Sequence, residues 1–151
     1  MSIDSKLADL GITLPAAPAP AANYVPYVQS GNLLFISGQI SAGPGGLITG
    51  RLGADMAAEA GAEAARNCGL ALLAQARAAL GSLDRITRVV KLTGFVNSTP
   101  EFTDQPEVIN GCSDFMVEVF GDKGRHARAA VSAPALPRGV AVEIEAIFEV
   151  E

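Results

Sequence analysis

A chain of 151 residues holds one domain's worth of core, and with 49% hydrophobic residues and a mean hydropathy of +0.30 it is too apolar to be disordered. No run approaches the ~20 apolar residues of a membrane span, so a soluble protein is expected. The net charge of −5, with only 11 scattered basic residues, argues against a phosphate-binding surface for nucleic acid.

The chain opens with a weakly periodic stretch over 2–14, a short helix or strand, followed by PAAPAPAAN, whose prolines forbid regular structure. Residues 24–29 and 33–37 flank the turn Ser30-Gly31-Asn32 and predict a β-hairpin. Leu33 to Ile36 is apolar on both faces and predicts a central strand ending at Ser37-Gly38-Gln39, where glycine lets another group approach the backbone. The glycine-rich segment 43–53 lacks the Gly-Lys-Ser/Thr ending of a phosphate loop, so it reads as a turn between short strands.

From 55 to 80 the chain is alanine-rich and stops at Gly81, which predicts a helix with a left-handed stop. Gly61, Ala65, Cys68, Gly69, Leu72, Ala76 and Leu80 form a stripe of small and apolar residues opposite Glu59, Glu63, Arg66 and Arg77. Leu70 and Leu73 breach the charged side, consistent with another element, another subunit or ordinary surface. Residues 86–97 are rich in β-branched types and predict a long strand. Asp104 with Glu107 predicts a capping box, and Val108, Cys112, Phe115, Met116 and Val119 then recur at helical spacing, with Asn110 and Ser113 on another face. Two strands close the chain. In the last, Val140 to Val150 alternate apolar and polar over eleven residues, the period of a half-buried strand. The fold class is α+β: a sheet with two helices on one face and the other face left for water or another copy of the chain.

Arg128 is the sharpest candidate for chemistry. It stands among alanines on a strand, and a guanidinium binds a carboxylate through two parallel hydrogen bonds. The competing reading is a salt bridge to a glutamate of the last strand. Glu143 could orient a water or take its proton, or it could belong to a solvated row with Glu145 and Glu149. Tyr27 and Asn110 carry groups able to reach a ligand, although packing and helix-surface roles are the ordinary ones. His126 has no carboxylate partner at recognisable spacing and no serine motif nearby, so a hydrolase triad is not expected. One histidine with Cys68 and Cys112 is too few ligands for a zinc site, so no metal is expected. The absence of a charged-then-apolar leader and the unclustered thiols suggest a reduced, cytoplasmic protein.

These residues resemble the RidA/YjgF family of enamine/imine deaminases, also known as the L-PSP endoribonuclease or translation-inhibitor family. Ala127-Arg128, Leu136-Pro137 and Val142-Glu143-Ile144-Glu145-Ala146-Ile147 are similar to its C-terminal signature. Pro26-Tyr27-Val28-Gln29 with Ser37-Gly38-Gln39-Ile40 is a second match, and Asn110, preceded by the strand ending Gly94-Phe95-Val96, is a third. The resemblance covers 16–151 as a single RidA-like domain after an N-terminal extension over 1–15. It implies a chorismate-mutase-like α+β fold, a homotrimer with clefts between subunits, and hydrolysis of 2-imino acids or enamines to 2-oxo acids and ammonia without a cofactor. In it, Arg128 would hold the substrate carboxylate and Glu143 would position the water, with Tyr27, Ser37, Gly38, Asn110 and Ala130 lining the cleft. Ala130 departs from the cysteine of many deaminase members, and the chain is longer than the compact ones. The expected partners are a small imino or 2-oxo acid and further copies of the chain. The rivals are a non-catalytic module binding a small carboxylate, a chaperone-like stress protein, and an RNA-cleaving protein, which the acidic balance disfavours.

Overall fold

The computed structural model describes residues 2–20 and 22–151. Helix α1 (Ile3–Asp9) opens the chain and is capped by Ser2, whose side chain accepts from the Ser5 N–H. A hairpin of β1 (Tyr27–Ser30) and β2 (Leu33–Ile40) follows, turned by Gly31 at φ 62°. The small hairpin β3 (Ala42–Gly43) and β4 (Gly46–Leu47) occupies the glycine-rich segment, as expected for a turn between short strands. Then come α2 (Ala58–Leu80), β5 (Ile86–Asn97), α3 (Gln105–Phe120), β6 (Ala127–Ala133) and β7 (Val142–Val150).

The main sheet has the order β1-β2-β7-β5-β6. Neighbours are antiparallel except β5 and β6, which are parallel because α3 carries the chain back over the sheet. The C-terminal strand β7 is central, and its alternation decides which face is buried. Val142, Ile144, Ala146, Phe148 and Val150 meet the helices, while Glu143, Glu145, Ile147 and Glu149 face away.

The small-residue stripe of α2 lets α3 come close. A Cβ on Gly69 would meet the Phe115 ring at 2.8 Å and Cys112 Sγ at 3.2 Å, and one on Gly111 would overlap the Ala62 carbonyl. Cys68 and Cys112 are free and buried among these contacts. Burial raises the thiol pKa of both, that of Cys112 to about 12, so neither is a ready nucleophile.

Four local expectations change. Leu73 is fully buried and Leu70 half-buried, because Leu73 continues the Ala62, Arg66 and Gly69 stripe of α2 that packs on α3. Gln75, also buried, ties the lead-in to α2 by donating to the Pro18 carbonyl at 2.7 Å. Ala21, part of the proline-rich lead-in, lies outside the described residues. Asp104 makes no side-chain cap. Its backbone, at φ −94° and ψ 31°, is not the extended conformation from which a cap side chain reaches the first turn, and Pro106, with no N–H, leaves one fewer donor to cap, while the Gln105 side-chain amide donates to the Phe102 carbonyl at 2.7 Å and to Ser98 Oγ at 3.3 Å. The first hairpin strand begins at Tyr27 rather than residue 24. The second does not end at Ser37 but continues through a bulge to Ile40.

The face turned from the helices carries Val28, Phe35, Ile147, Phe95 and Val131, with Val28, Phe35 and Val131 exposed. No helix among the described residues is long and apolar enough to cross a membrane.

Candidate functional site

Strand β6 is an edge strand, and α3 runs beside it. Arg128 pairs in register with Leu92, a fully buried residue, so its side chain rises on the helix side of the sheet and reaches α3. Nη1 donates to Asn110 Oδ1 at 2.8 Å and to Ser113 Oγ at 3.1 Å, and Nη2 donates to the Pro106 carbonyl at 3.3 Å. Asn110 and Ser113 lie three residues apart on α3 and therefore share the face that meets the arginine.

All three acceptors are neutral, and among the described residues no carboxylate lies within ion-pair distance of Arg128. The salt bridge to the last strand is thus absent for a topological reason: Glu143, Glu145 and Glu149 stand on the opposite face. A guanidinium carries five N–H donors, and three are used. The Nε–H and one Nη2–H have no partner among the described residues. They sit on adjacent nitrogens, the arrangement that meets both oxygens of a carboxylate. The half-buried position leaves this pair open to a ligand while limiting the solvent that would screen it.

His126, two residues before Arg128, closes the network. Its Nδ1 lies 2.6 Å from the Gly124 carbonyl and its Nε2 2.8 Å from Ser113 Oγ. A carbonyl only accepts, so Nδ1 carries the proton, and in the neutral ring Nε2 accepts from the Ser113 hydroxyl. Burial lowers the His126 pKa from its ordinary value, and the Arg128 charge adds to this against the opposing pull of the Gly124 bond, so the ring is neutral at pH 7. Ser113 and His126 were not singled out as site residues from the sequence. The usable signals were the spacing of Ser113 from Asn110 and of His126 from Arg128. The partner of His126 is a backbone carbonyl, which no side-chain spacing reveals.

Glu143 belongs to a second cluster. Between Ile36 and Gln39 the β2–β7 register shifts, so Ser37 and Gly38 form a bulge. The Glu143 carboxylate lies over Gly38, where a Cβ would overlap Oε2. That is the close approach expected of this glycine. Ser37 anchors the bulge to the segment before β1, its hydroxyl donating to the Val25 carbonyl at 2.7 Å and its N–H to the Pro26 carbonyl at 2.9 Å. Glu143 stands in a row with Ile40 and Phe95, and this partly apolar setting raises its pKa, with the Glu145 charge as a second cause.

The remaining candidates fall outside both clusters. Tyr27 lies on β1, opposite Ile36, and packs half-buried against the core. Ala130 lies opposite Gly94 on β6, half-buried on the same face as Arg128. One chain thus joins Arg128 to Asn110 and Glu143 to Gly38, but sets the two groups on opposite faces of the sheet. The described residues hold no group of three or more His, Cys, Asp or Glu able to bind a metal.

Comparison with known proteins places this architecture. Residues 4–148 match the family described as "YjgF/chorismate_mutase-like, putative endoribonuclease", and the chain belongs to that family. It is 53% identical to protein TCP17 of Trypanosoma cruzi over 97% of this chain and 93% of that one. Among solved structures, it is similar to Atu1372 of Agrobacterium tumefaciens, a protein of unknown function. That match has 47% identity and a TM-score of 0.90, covering 99% of this chain and 94% of that one. RidA from an Antarctic Psychrobacter is more distant, with 30% identity and a TM-score of 0.60 over 91% of this chain and 98% of that one.

Proposed function

We propose that the protein hydrolyses reactive 2-imino acids or their enamine tautomers to 2-oxo acids and ammonia, with Arg128 binding the substrate carboxylate. The observation that carries this reading is the arginine itself: three neutral oxygens hold it, and among the described residues no carboxylate neutralises it and two adjacent donors remain unused. Family membership and the similarity to a RidA support the reaction class. No cofactor is called for, because an imine carbon is already electrophilic. The site supplies orientation of the carboxylate and of a water. Glu143, with its raised pKa, serves as the group that positions and deprotonates that water.

Because Arg128 and Glu143 face opposite ways in one chain, the complete site forms between copies. One cluster lies at the β6 edge and the other on the opposite face at the centre of the sheet, so a head-to-tail contact would bring one copy's edge onto another's open face, and such contacts form a ring where the rotation closes. A homotrimer in the cytoplasm is the assembly proposed, with the apolar open face turned toward neighbouring copies. Tyr27, Ser37, Gly38 and Ala130 then line the cleft around the two charged residues.

The test is release of 2-oxo acid from 2-imino acids generated in place by an amino-acid oxidase. The intact protein should accelerate hydrolysis, and Arg128→Ala should lose about 10–100-fold in kcat/KM, the weight of a charge-assisted contact of about 1.5–3 kcal/mol. Equal, uncatalysed rates for the intact protein, Arg128→Ala and Glu143→Ala across several side chains would turn the assignment to a non-catalytic carboxylate-binding module.

A further inference from the structure

The pair Ser113 and His126 has the spacing of a nucleophile and its base, 2.8 Å between Oγ and Nε2. The hydrogen-bond polarity around it leads elsewhere. Gly124 fixes the proton on Nδ1, Nε2 takes the Ser113 hydrogen, and the Ser113 oxygen is thereby left to accept from Arg128 Nη1. The unused donors of Arg128 are on Nε and Nη2. A carboxylate on that fork lies across the guanidinium from Ser113, so the serine braces the back of the arginine rather than touching the ligand.

Resting on the carboxylate role of Arg128 proposed above, we infer that His126 is a positioning residue: through its tautomer it aims the Ser113 oxygen at Nη1 and holds the guanidinium plane with its free fork open to the ligand. Every link has a definite direction. The Gly124 carbonyl accepts, His126 donates at Nδ1 and accepts at Nε2, Ser113 donates to His126 and accepts from Arg128. Asn110 takes the second Nη1 hydrogen at 2.8 Å and the Pro106 carbonyl takes one from Nη2, so the plane is gripped from α3 at both ends. If Nε2 had no lone pair to offer, the Ser113 hydrogen would have no acceptor there, and the brace on Nη1 would lose its orientation. Planar, two-point recognition depends on that orientation in a way that a single point charge does not.

The experiment compares binding of pyruvate and of pyruvamide, which lacks the carboxylate, to the intact protein and to His126→Leu, His126→Gln and Ser113→Ala by calorimetry. The intact protein should prefer pyruvate. His126→Leu and Ser113→Ala should each shrink that preference by about tenfold, the weight of an oriented hydrogen bond, with pyruvamide binding unchanged. His126→Gln, whose amide oxygen can accept from Ser113, should restore most of it. A preference kept in both His126→Leu and Ser113→Ala overturns the positioning role while leaving Arg128 as the carboxylate anchor. An intact protein with no preference overturns the anchor and the positioning role together. Nitrogen NMR of the unsubstituted protein gives a check independent of how the variants fold: a neutral ring protonated at Nδ1 is expected, and a ring protonated at Nε2 overturns the inference.

Discussion

The two clusters of polar residues in this protein are built in contrasting ways. At the β6 edge, Arg128 is held in an organised cage of Asn110, Ser113 and the Pro106 carbonyl, backed by a histidine whose proton is fixed by the backbone. On the β2–β7 side, Glu143 rests over a glycine bulge and beside Ile40 and Phe95, with no side chain among the described residues hydrogen-bonded to it. The first arrangement spends hydrogen bonds to orient a charge that desolvation does not alter, since a guanidinium stays protonated. The second relies on burial to change the chemistry of a group that can titrate. A binding charge needs direction, whereas a base needs a suitable proton affinity. The difference matches the roles proposed for them.

The strongest way to break this comparison is to separate the clusters onto different copies. Arg128→Ala and Glu143→Ala proteins, each strongly impaired alone, should regain about one quarter of the native activity when unfolded and reassembled together in equal amounts, because a head-to-tail ring then contains sites with both residues intact. No recovery would mean that one copy supplies both, and the division of the site would fail.

Next in size is Gly111→Ala, which acts on the cage alone. Its Cβ would overlap the Ala62 carbonyl and push α3, with Asn110 and Ser113, away from α2. Overpacking against backbone should cost about 3 kcal/mol, a fall of roughly 6–12 °C in Tm by calorimetry. An unchanged Tm would show that the helices have slack.

Gly38→Ala acts on the bulge alone. The obstructing atoms belong to the flexible end of Glu143, so the carboxylate should swing aside at a cost under about 1 kcal/mol of stability. Imine hydrolysis should fall by about tenfold through misplacement of the base. Loss of stability with activity intact would place Glu143 outside the chemistry.

The smallest effect is the pH dependence. With the Glu143 pKa raised in the folded protein, the base is competent only above that value, so the acid limb of kcat/KM should lie at higher pH than an ordinary glutamate gives. The sign for stability is opposite. The folded state favours the protonated carboxyl, so stability contributed by this group is present at low pH and lost as pH rises through the raised pKa. Glu143→Gln should therefore be slightly more stable than the native protein at pH 8 and no more stable at pH 4, measured by thermal unfolding at both. A rise at pH 4 alone would contradict the direction of the shift.

Much of this architecture was legible in the sequence where a period was long and uninterrupted. Strand β5 and helix α3 begin and end close to where their patterns do, and the alternation of β7 translates residue by residue into burial. Legibility failed where a distant segment intervened. Leu73 looked like a breach in a polar face because α3, the helix that packs on that side of α2, is distant in sequence. The bulge at Ser37-Gly38 looked like a strand end because glycine marks both. The capping box at Asp104 was a local rule that fails because the Asp104 backbone is not extended and Pro106 brings no N–H to cap.

The sequence by itself determined the α+β class, the order of strands and helices, and the identities of the two charged residues on which the functional reading rests. It also put Arg128 and Glu143 on their own faces, since side-chain direction along a strand follows from the period of two. Only the tertiary structure decided that these faces are opposite ones of a single sheet. Relating two strands needs their order and register, which hydrogen bonding between residues distant in sequence sets. The same holds for the neutral cage around Arg128 and the His126 tautomer behind it. A hydrogen bond has a direction only when both partners are in place, and α3, β6 and the Gly124 turn bring those partners together through packing that no local pattern encodes.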